Sequence, residues 1–172
     1  TATLAGKIDA QTTLINDKFC QLEMREMQNK IDALRDEKVV LQNNIDLTET
    51  VTVPAGVTAI LDLNGKNIKN TPAGTATDVI VVAGELTING EGTIEATTGN
   101  DGYAVISEGL LIINGGTYTN VDAISDDPND SHFDLIYVKN GGHVEINGGT
   151  FICETPKWTL NLKDRDTSSI TV

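Results

Sequence analysis

The segment Ile-Asn-Gly-Gly-Thr-Tyr at 113–118 decides the fold, because it returns almost unchanged as Ile-Asn-Gly-Gly-Thr-Phe at 146–151. A shorter version, an apolar residue followed by Asn and Gly, stands at 63–65 and again at 88–90. The asparagines recur at intervals of 25, 25 and 33 residues, as Asn64, Asn89, Asn114 and Asn147. A repeat of this period is typical of solenoid proteins.

Each interval has room for about three short strands separated by turns. The glycine content and the alternation of apolar and polar residues exclude helical repeats. The eight extra residues of the third interval fit a loop insertion at 125–132. The sequence therefore predicts a mainly β fold over 46–172, a right-handed parallel β-helix of about four turns with about 25 residues per turn. Four unrelated hairpin turns are the alternative.

The repeated asparagines predict a ladder of side-chain amides along the solenoid. Asn followed by Gly supplies the positive φ that a tight turn needs. If Asn64, Asn89, Asn114 and Asn147 stack in register, we expect their amides to hydrogen-bond to one another and to satisfy buried polar groups. The apolar residues that precede three of them, Ile88, Ile113 and Ile146, are expected to form an internal stack.

Residues 14–45 predict a different structure, an N-terminal α-helix in a coiled coil. They contain no Gly or Pro and are rich in strong helix formers. A heptad seam with alternating spacings of four and three runs through Cys20, Met24, Met27, Ile31, Leu34, Lys38, Leu41 and Ile45. A single amphipathic helix lying on its own domain is the alternative. The heptads do not decide between two and three chains.

Composition narrows the classes of function. Acidic residues outnumber basic ones 25 to 12, and the net charge of -13 argues against nucleic-acid binding. No apolar run is long enough to span a membrane. Cys20 and Cys153 do not form a disulfide framework. The absence of an initiator Met and the strand-like residues 169–172 predict that the parent protein extends beyond both ends, with a β-helix that is truncated here.

Nothing in the sequence singles out a catalytic or metal site. The carboxylates near predicted strands show no pairing pattern; they are Glu91, Glu95, Asp101, Glu108 and Glu145. The nearby basic residues, Lys139, Lys163 and Arg165, stand in no lyase-like motif.

The segment 126–134 matches a calcium-binding loop in part, at Asp127, Asn129 and Ser131, but His132 replaces the required Gly and Val138 the closing Glu. A solvated acidic loop is the favoured interpretation. His132 and His143 have no metal-ligand spacing. We expect no enzyme activity, no cofactor and no metal.

Residues 46–66, with the Ile-Asn-Gly-Gly-Thr-aromatic repeats, resemble the coils of pectate-lyase-like right-handed β-helix proteins. Residues 14–32 resemble coiled-coil segments in structural proteins of gut-type tailed bacteriophages. The resemblance implies a non-enzymatic phage head fibre, or less closely a tail spike. It implies a homotrimer whose residues 1–13 anchor it to a capsid or auxiliary capsid protein, with 14–45 as the stalk and 46–172 as a projecting β-helix.

The same resemblance implies a location on the virion, after synthesis in the host cytoplasm. A host-surface glycan is an expected partner of residues beyond the C-terminus. Two other functions stay open: a tail spike that degrades polysaccharide, and a bacterial surface adhesin. The first predicts carboxylate pairs in a groove, and the second predicts a secretion signal and an anchor in the parent protein.

Overall fold

Short parallel strands make up the computed structural model of this chain. The residues that the structure describes are 25, 26, 28, 37–70, 78–96, 102–120, 134–153 and 158–172. The strands among them are β1 (Glu37–Val40), β2 (Ile45–Leu47), β3 (Val51–Val53), β4 (Thr58–Asp62), β5 (Lys66–Asn70), β6 (Ile80–Val82), β7 (Glu85–Asn89), β8 (Gly92–Ala96), β9 (Val105–Ser107), β10 (Leu110–Ile113), β11 (Thr117–Asn120), β12 (Ile136–Val138), β13 (His143–Ile146), β14 (Thr150–Cys153), β15 (Leu160–Leu162) and β16 (Ser169–Thr171).

The strands form three parallel sheets, which we name A, B and C. Sheet A has the order β1-β4-β7-β10-β13-β16, sheet B the order β14-β11-β8-β5-β2, and sheet C the order β15-β12-β9-β6-β3. The chain thus visits A, B and C in rotation, and the described residues complete five such turns before β16 starts another. This architecture is a parallel β-solenoid, as the repeat predicts. Its right-handedness stays a prediction.

Inward-facing apolar residues fill the space between the three sheets. Ile88 and Ile113 are paired in register and fully buried, and Ile146 follows them in the next turn. On sheet B, Tyr118 pairs with Phe151, and their rings stack with centroids 5.0 Å apart. Every second residue of a strand faces inward. A single strand cannot bury these residues alone, so their burial depends on the other sheets and on the turns above and below.

The predicted coiled coil is wrong where the structure can be compared with it. Glu37–Val40 is the strand β1, paired with β4, and Ile45 begins the strand β2. Leu41 and Ile45 are buried in the solenoid core rather than in a helical seam. Lys38 faces outward and forms an ion pair with Asp62. Pairing with the neighbouring turn outweighs the helix propensity of this segment.

No interpretable helix stands in the described part of the chain, where only Arg25, Glu26 and Gln28 have helical geometry. The remaining seam residues lie outside the described residues, as does the predicted anchor at 1–13; they are Cys20, Met24, Met27, Ile31 and Leu34. Among the described residues the first strand of the solenoid starts at Glu37, before the start predicted at residue 46.

Gln28 closes the edge of sheet C at the first turn. Its side-chain Nε2 donates to the carbonyl oxygen of Thr52 at 3.0 Å, and the Thr52 N–H donates to its Oε1 at 3.2 Å. Thr52 is the middle residue of β3, the edge strand of that sheet. A carboxamide carries the same donor and acceptor as a peptide group, so Gln28 pairs with β3 as another strand would.

The inward stack predicts different costs for two adjacent isoleucines. Ile113→Ala removes a fully buried side chain and is expected to reduce the free energy of unfolding by about 2–5 kcal/mol. Ile112→Ala removes an outward-facing, half-buried side chain and is the matched control, with a much smaller expected loss. Urea denaturation followed by circular dichroism measures both. Equal losses would contradict the assignment of the core face.

Candidate functional site

The corner between sheets A and B carries the repeated Asn-Gly pairs. The register of the flanking strands shows that the connection at this corner has fewer residues in the later turns than in the first. The residues that connect matching positions of the two sheets are 63–66, 90–92, 115–116 and 148–149 in successive turns. The outer surface therefore steps inward where the three-residue corner is followed by a two-residue one.

A shallow groove of about 570 Å³ lies at this step. It is lined by Gly90, Glu91, Gly92, Asn114, Gly115, Gly116, Thr117, Gly149 and Thr150. Gly116 has a φ of 88°, and a Cβ at this position would lie 2.8 Å from the Cδ1 atom of Leu63. The positive φ of Gly116 disfavours a larger residue there, and glycines supply five of the residues that line the groove. Its surface offers peptide groups, hydroxyls and one carboxylate.

Three of the four predicted ladder residues meet on the rim of this groove. Asn114 Nδ2 donates to Asn89 Oδ1 at 2.8 Å, and Asn147 Nδ2 donates to Asn114 Oδ1 at 3.0 Å. The side chains of Asn114 and Asn147 are exposed, whereas the sequence predicts that they satisfy buried groups. The amides therefore bond to one another across successive turns on the outside of the solenoid.

Asn64 does not join this row. The register pairs Asp62 with Asn89, so Asp62 takes the equivalent position in the preceding turn. Asn64 lies within the longer first corner with a φ of 49°, and its Nδ2 donates to the carbonyl oxygen of Leu41 at 2.9 Å. Leu63-Asn64-Gly65 matches the motif at 88–90 more closely than Leu61-Asp62 does, but the longer first corner places Leu61-Asp62 at the paired position.

Asp62 is held by two donors. Lys38 Nζ lies 2.7 Å from its Oδ2, and the Asn64 N–H donates to its Oδ1 at 3.0 Å. The hydrogen bond from Lys38, together with the one from the Asn64 backbone, lowers the pKa of this carboxyl below its ordinary value, although partial burial opposes the shift. The row of amides thus begins beside a charged pair.

Tyr118 supports the third corner from inside. Its ring is fully buried, and its hydroxyl donates to the carbonyl oxygen of Gly115 at 3.1 Å. Burial raises the pKa of the Tyr118 hydroxyl, which therefore stays protonated and able to donate. Phe151 takes the same register position in the next turn and has no hydroxyl. This bond holds the peptide group between Gly115 and Gly116, and the corresponding peptide group between Gly148 and Gly149 has no such bond from Phe151.

The carboxylates considered for catalysis are distributed over different sides of the solenoid. Glu91 lies at the A–B corner, Glu95 on the outer face of β8, and Glu145 on the outer face of β13. Glu108 lies between sheets C and A, where it binds Lys139 at 3.2 Å. Asp101 is outside the described residues. The absence of enzyme activity stays a prediction.

The other residues considered as site residues from the sequence lie at different places in the structure. Cys153 is half-buried in β14, and Val138 is a core residue of β12. His143 Nδ1 lies 2.8 Å from Ser169 Oγ on the outer face of sheet A. Lys163 and Arg165 are exposed; Asp127, Asn129, Ser131 and His132 lie outside the described residues. Within the described ranges, no group of three or more His, Cys, Asp or Glu side chains is placed to hold a metal.

A fifth Asn-Gly pair, at 140–141, is not among the residues predicted from the repeat. Asn140 has a φ of 54° in the turn from sheet C to sheet A, and its Nδ2 donates to Glu108 Oε1 at 2.8 Å. The dipeptide itself is visible in the sequence, but it falls outside the repeat spacing. A count of all Asn-Gly pairs would have found a turn in a second corner.

Comparison of the chain with protein-family models, curated proteins and solved structures gives no match. Among the described residues, no helix has the length and apolar character needed to cross a bilayer.

The ion pair at Asp62 predicts a pH effect. Because its folded-state pKa is lowered, the pair stabilises the fold above the unfolded pKa, and this contribution is lost as the pH falls through the folded pKa. Lys38→Met is expected to raise the pKa of Asp62 toward its ordinary value. An NMR titration of the Asp62 carboxyl measures this. Lys69→Met, which removes a lysine 3.6 Å from Asp46, is the control and should leave Asp62 unchanged.

The amide row predicts a graded loss of stability. Asn114→Ala removes two ladder hydrogen bonds, and Asn147→Ala removes one. Since one such bond contributes about 1 kcal/mol or less on an exposed surface, Asn114→Ala should be the more destabilising by up to about that amount. Urea midpoints of the two variants give the difference. A larger loss for Asn147→Ala would show that the row does not contribute to stability.

Proposed function

We propose that this chain is a stiff, non-enzymatic section of a fibre or spike, of the kind that tailed bacteriophages carry on their particles. The observation that supports this function is the unbroken stacking of three parallel sheets through five turns of the described chain. Each sheet runs along the whole stack, and each turn is joined to the next by backbone hydrogen bonds. Such a solenoid is a one-dimensional object suited to spacing and display.

The outer surface supports a role in display better than a role in catalysis. The groove at the A–B corner presents one carboxylate, Glu91, against backbone and hydroxyl groups. Glu108, the carboxylate at the C–A corner, is already engaged by Lys139 and Asn140. A hydrolase of sugars requires two carboxyl groups roughly 5 to 9.5 Å apart across a substrate. The acidic charge of the chain also favours well-separated copies on a particle.

The first turn supports attachment through the segment that precedes it. Gln28 bonds to both backbone groups of Thr52, so the segment before β1 is joined to one end of the solenoid. In our proposal, residues N-terminal to Gln28 contact another protein of the particle, a capsid or auxiliary capsid protein. The sheets extend away from that contact in the direction from β1 to β16.

Immunogold electron microscopy tests the location. Antibody raised against the chain should label the surface of phage particles purified from the source material. Label on bacterial envelopes instead would favour an adhesin and would contradict the proposal. A competing antibody against an unrelated solenoid, used at the same concentration, controls for binding to β-sheet surfaces in general.

A polysaccharide assay tests the absence of catalysis. The chain and its Glu91→Gln variant are incubated with capsular and cell-wall polysaccharides, and new reducing ends and unsaturated products are measured. Neither protein should release sugar above the buffer control. Release by the parent chain that Glu91→Gln abolishes would identify the groove as an active site and support a depolymerase spike.

A further inference from the structure

We propose that Asn147 is the site at which this solenoid is first modified chemically, by spontaneous deamidation through a succinimide. The inference is independent of the proposed function, since it concerns the chemistry of the A–B corner alone. Five Asn-Gly pairs occur in the described residues, at 64–65, 89–90, 114–115, 140–141 and 147–148. The structure gives each of them a different set of contacts, and those contacts rank the pairs.

The reaction needs no enzyme and no cofactor. The backbone nitrogen of the glycine loses its proton and attacks Cγ of the asparagine, which forms a C–N bond and closes a five-membered imide. The Cγ–Nδ2 bond breaks, and Nδ2 takes up a proton and leaves as ammonia. Water then adds to either imide carbonyl and opens the ring to aspartate or isoaspartate. Glycine favours the attack because it has no Cβ to obstruct the approach.

The pair 64–65 is protected at both reacting groups. The Gly65 N–H donates to the carbonyl oxygen of Glu91 at 2.6 Å, so the attacking nitrogen is engaged. The amide that would be attacked is held as well, because Asn64 Nδ2 donates to Leu41 at 2.9 Å. Both hydrogen bonds must open before the ring can close, and this requirement slows the reaction.

The pair 140–141 is protected in the same way by different partners. The Gly141 N–H donates to Ser168 Oγ at 3.0 Å, and Ser168 is buried. Asn140 Nδ2 donates to Glu108 Oε1 at 2.8 Å, which holds the side chain away from its own backbone. We therefore place this pair with 64–65 among the slow sites.

The pair 89–90 lies against a negative charge. A Cβ built on Gly90 would be 2.5 Å from Asp62 Oδ1, so the Asp62 carboxylate lies beside this glycine. The lowered pKa of Asp62 keeps that carboxyl ionised at neutral pH. A neighbouring anion opposes loss of the Gly90 proton, which is the step that creates the nucleophile.

The pair 114–115 is held by the row of amides and by Tyr118. The Asn114 side chain both donates to Asn89 and accepts from Asn147. On the backbone, the Gly115 carbonyl accepts the Tyr118 hydroxyl at 3.1 Å, which restricts rotation of the corner. The Asn114 amide must therefore break two ladder bonds before it can turn toward Gly115.

The pair 147–148 has the fewest constraints of the five. Asn147 is exposed, and its amide makes one ladder bond, to Asn114. Within the described residues, the Gly148 N–H makes no hydrogen bond. Phe151 stands where Tyr118 stands one turn earlier and offers no hydroxyl to the Gly148 carbonyl. In the described residues the Gly90 and Gly115 N–H groups make no hydrogen bond either. Asn147 therefore differs from Asn114 in having a single ladder bond, and from Asn89 in having no carboxylate beside the glycine that attacks it.

The modification changes the corner in two ways. The side chain of an aspartate at 147 has no N–H to donate. Its carboxylate oxygen then faces Asn114 Oδ1, and the hydrogen bond between the two side chains is lost. An isoaspartate adds one main-chain atom immediately before β14 and disturbs the register of that strand. Both products weaken the pairing of the turn that follows Asn114.

Peptide mapping by mass spectrometry tests the ranking. The 172-residue chain is incubated at mildly alkaline pH, folded or in concentrated urea, and the deamidated fraction at each pair is followed with time. In the folded chain, Asn147 should react first, Asn114 and Asn89 later, and Asn64 and Asn140 last. In urea the five rates should converge. A folded chain in which Asn64 or Asn140 reacts before Asn147 would overturn the proposal.

Two matched variants test the role of the aromatic hydroxyl. Phe151→Tyr supplies a hydroxyl toward Gly148 and should slow Asn147 by about fivefold, the factor expected for one hydrogen bond. Tyr118→Phe should speed Asn114 by a similar factor and leave Asn64 unchanged. Urea midpoints equal to that of the parent show that each variant is folded. If both variants are folded and neither rate moves, the hydroxyl contact does not set the order, and the proposal fails.

Discussion

Parallel backbone pairing between successive turns is the constraint on which the whole structure depends. A strand of three to five residues is not stable alone, and here each strand pairs with the strand of a neighbouring turn, on both sides except at the two ends of each sheet. This pairing fixes the inward side chains in columns such as Ile88, Ile113 and Ile146. The burial of those columns is the main favourable contribution to folding. The corners, the polar rows and the ion pairs are placed by that register.

Residues 113–118 and 146–151 predict the fold because a solenoid repeats its chemistry at every turn. Their spacing indicates the period of the repeat and the stacking of Ile113 on its neighbours. Their residue types indicate strands. The failure at Asn64 has a physical cause. Leu61 and Leu63 are both buried and each precedes a polar residue, and the sequence does not show that Leu61 is the one that pairs with Ile88. The answer depends on the corner length, which is set by the tertiary register.

The expectation for residues 37–45 failed for a related reason. Leu41 and Ile45 satisfy the heptad spacing, and together with Val39 they also satisfy the alternation of a strand, so the periodicity of these apolar residues does not choose between helix and strand. The edge of β4 favours the strand, because β4 would have unpaired backbone N–H and C=O groups if residues 37–40 did not pair with it as β1. At the candidate site, the sequence indicated the asparagines but not Asp62 or the shape of the corner, since both follow from the register.

The stepwise shortening of the A–B corner shows where this solenoid can change length during evolution. Corners with connections 63–66, 90–92 and 115–116 join the same two sheets and leave the inward columns in register. Insertions and deletions at this corner are therefore absorbed at the surface and do not shift the strands. A designer who wishes to graft a peptide onto the rod can place it there, and a lineage can diversify its outer surface there while retaining one core.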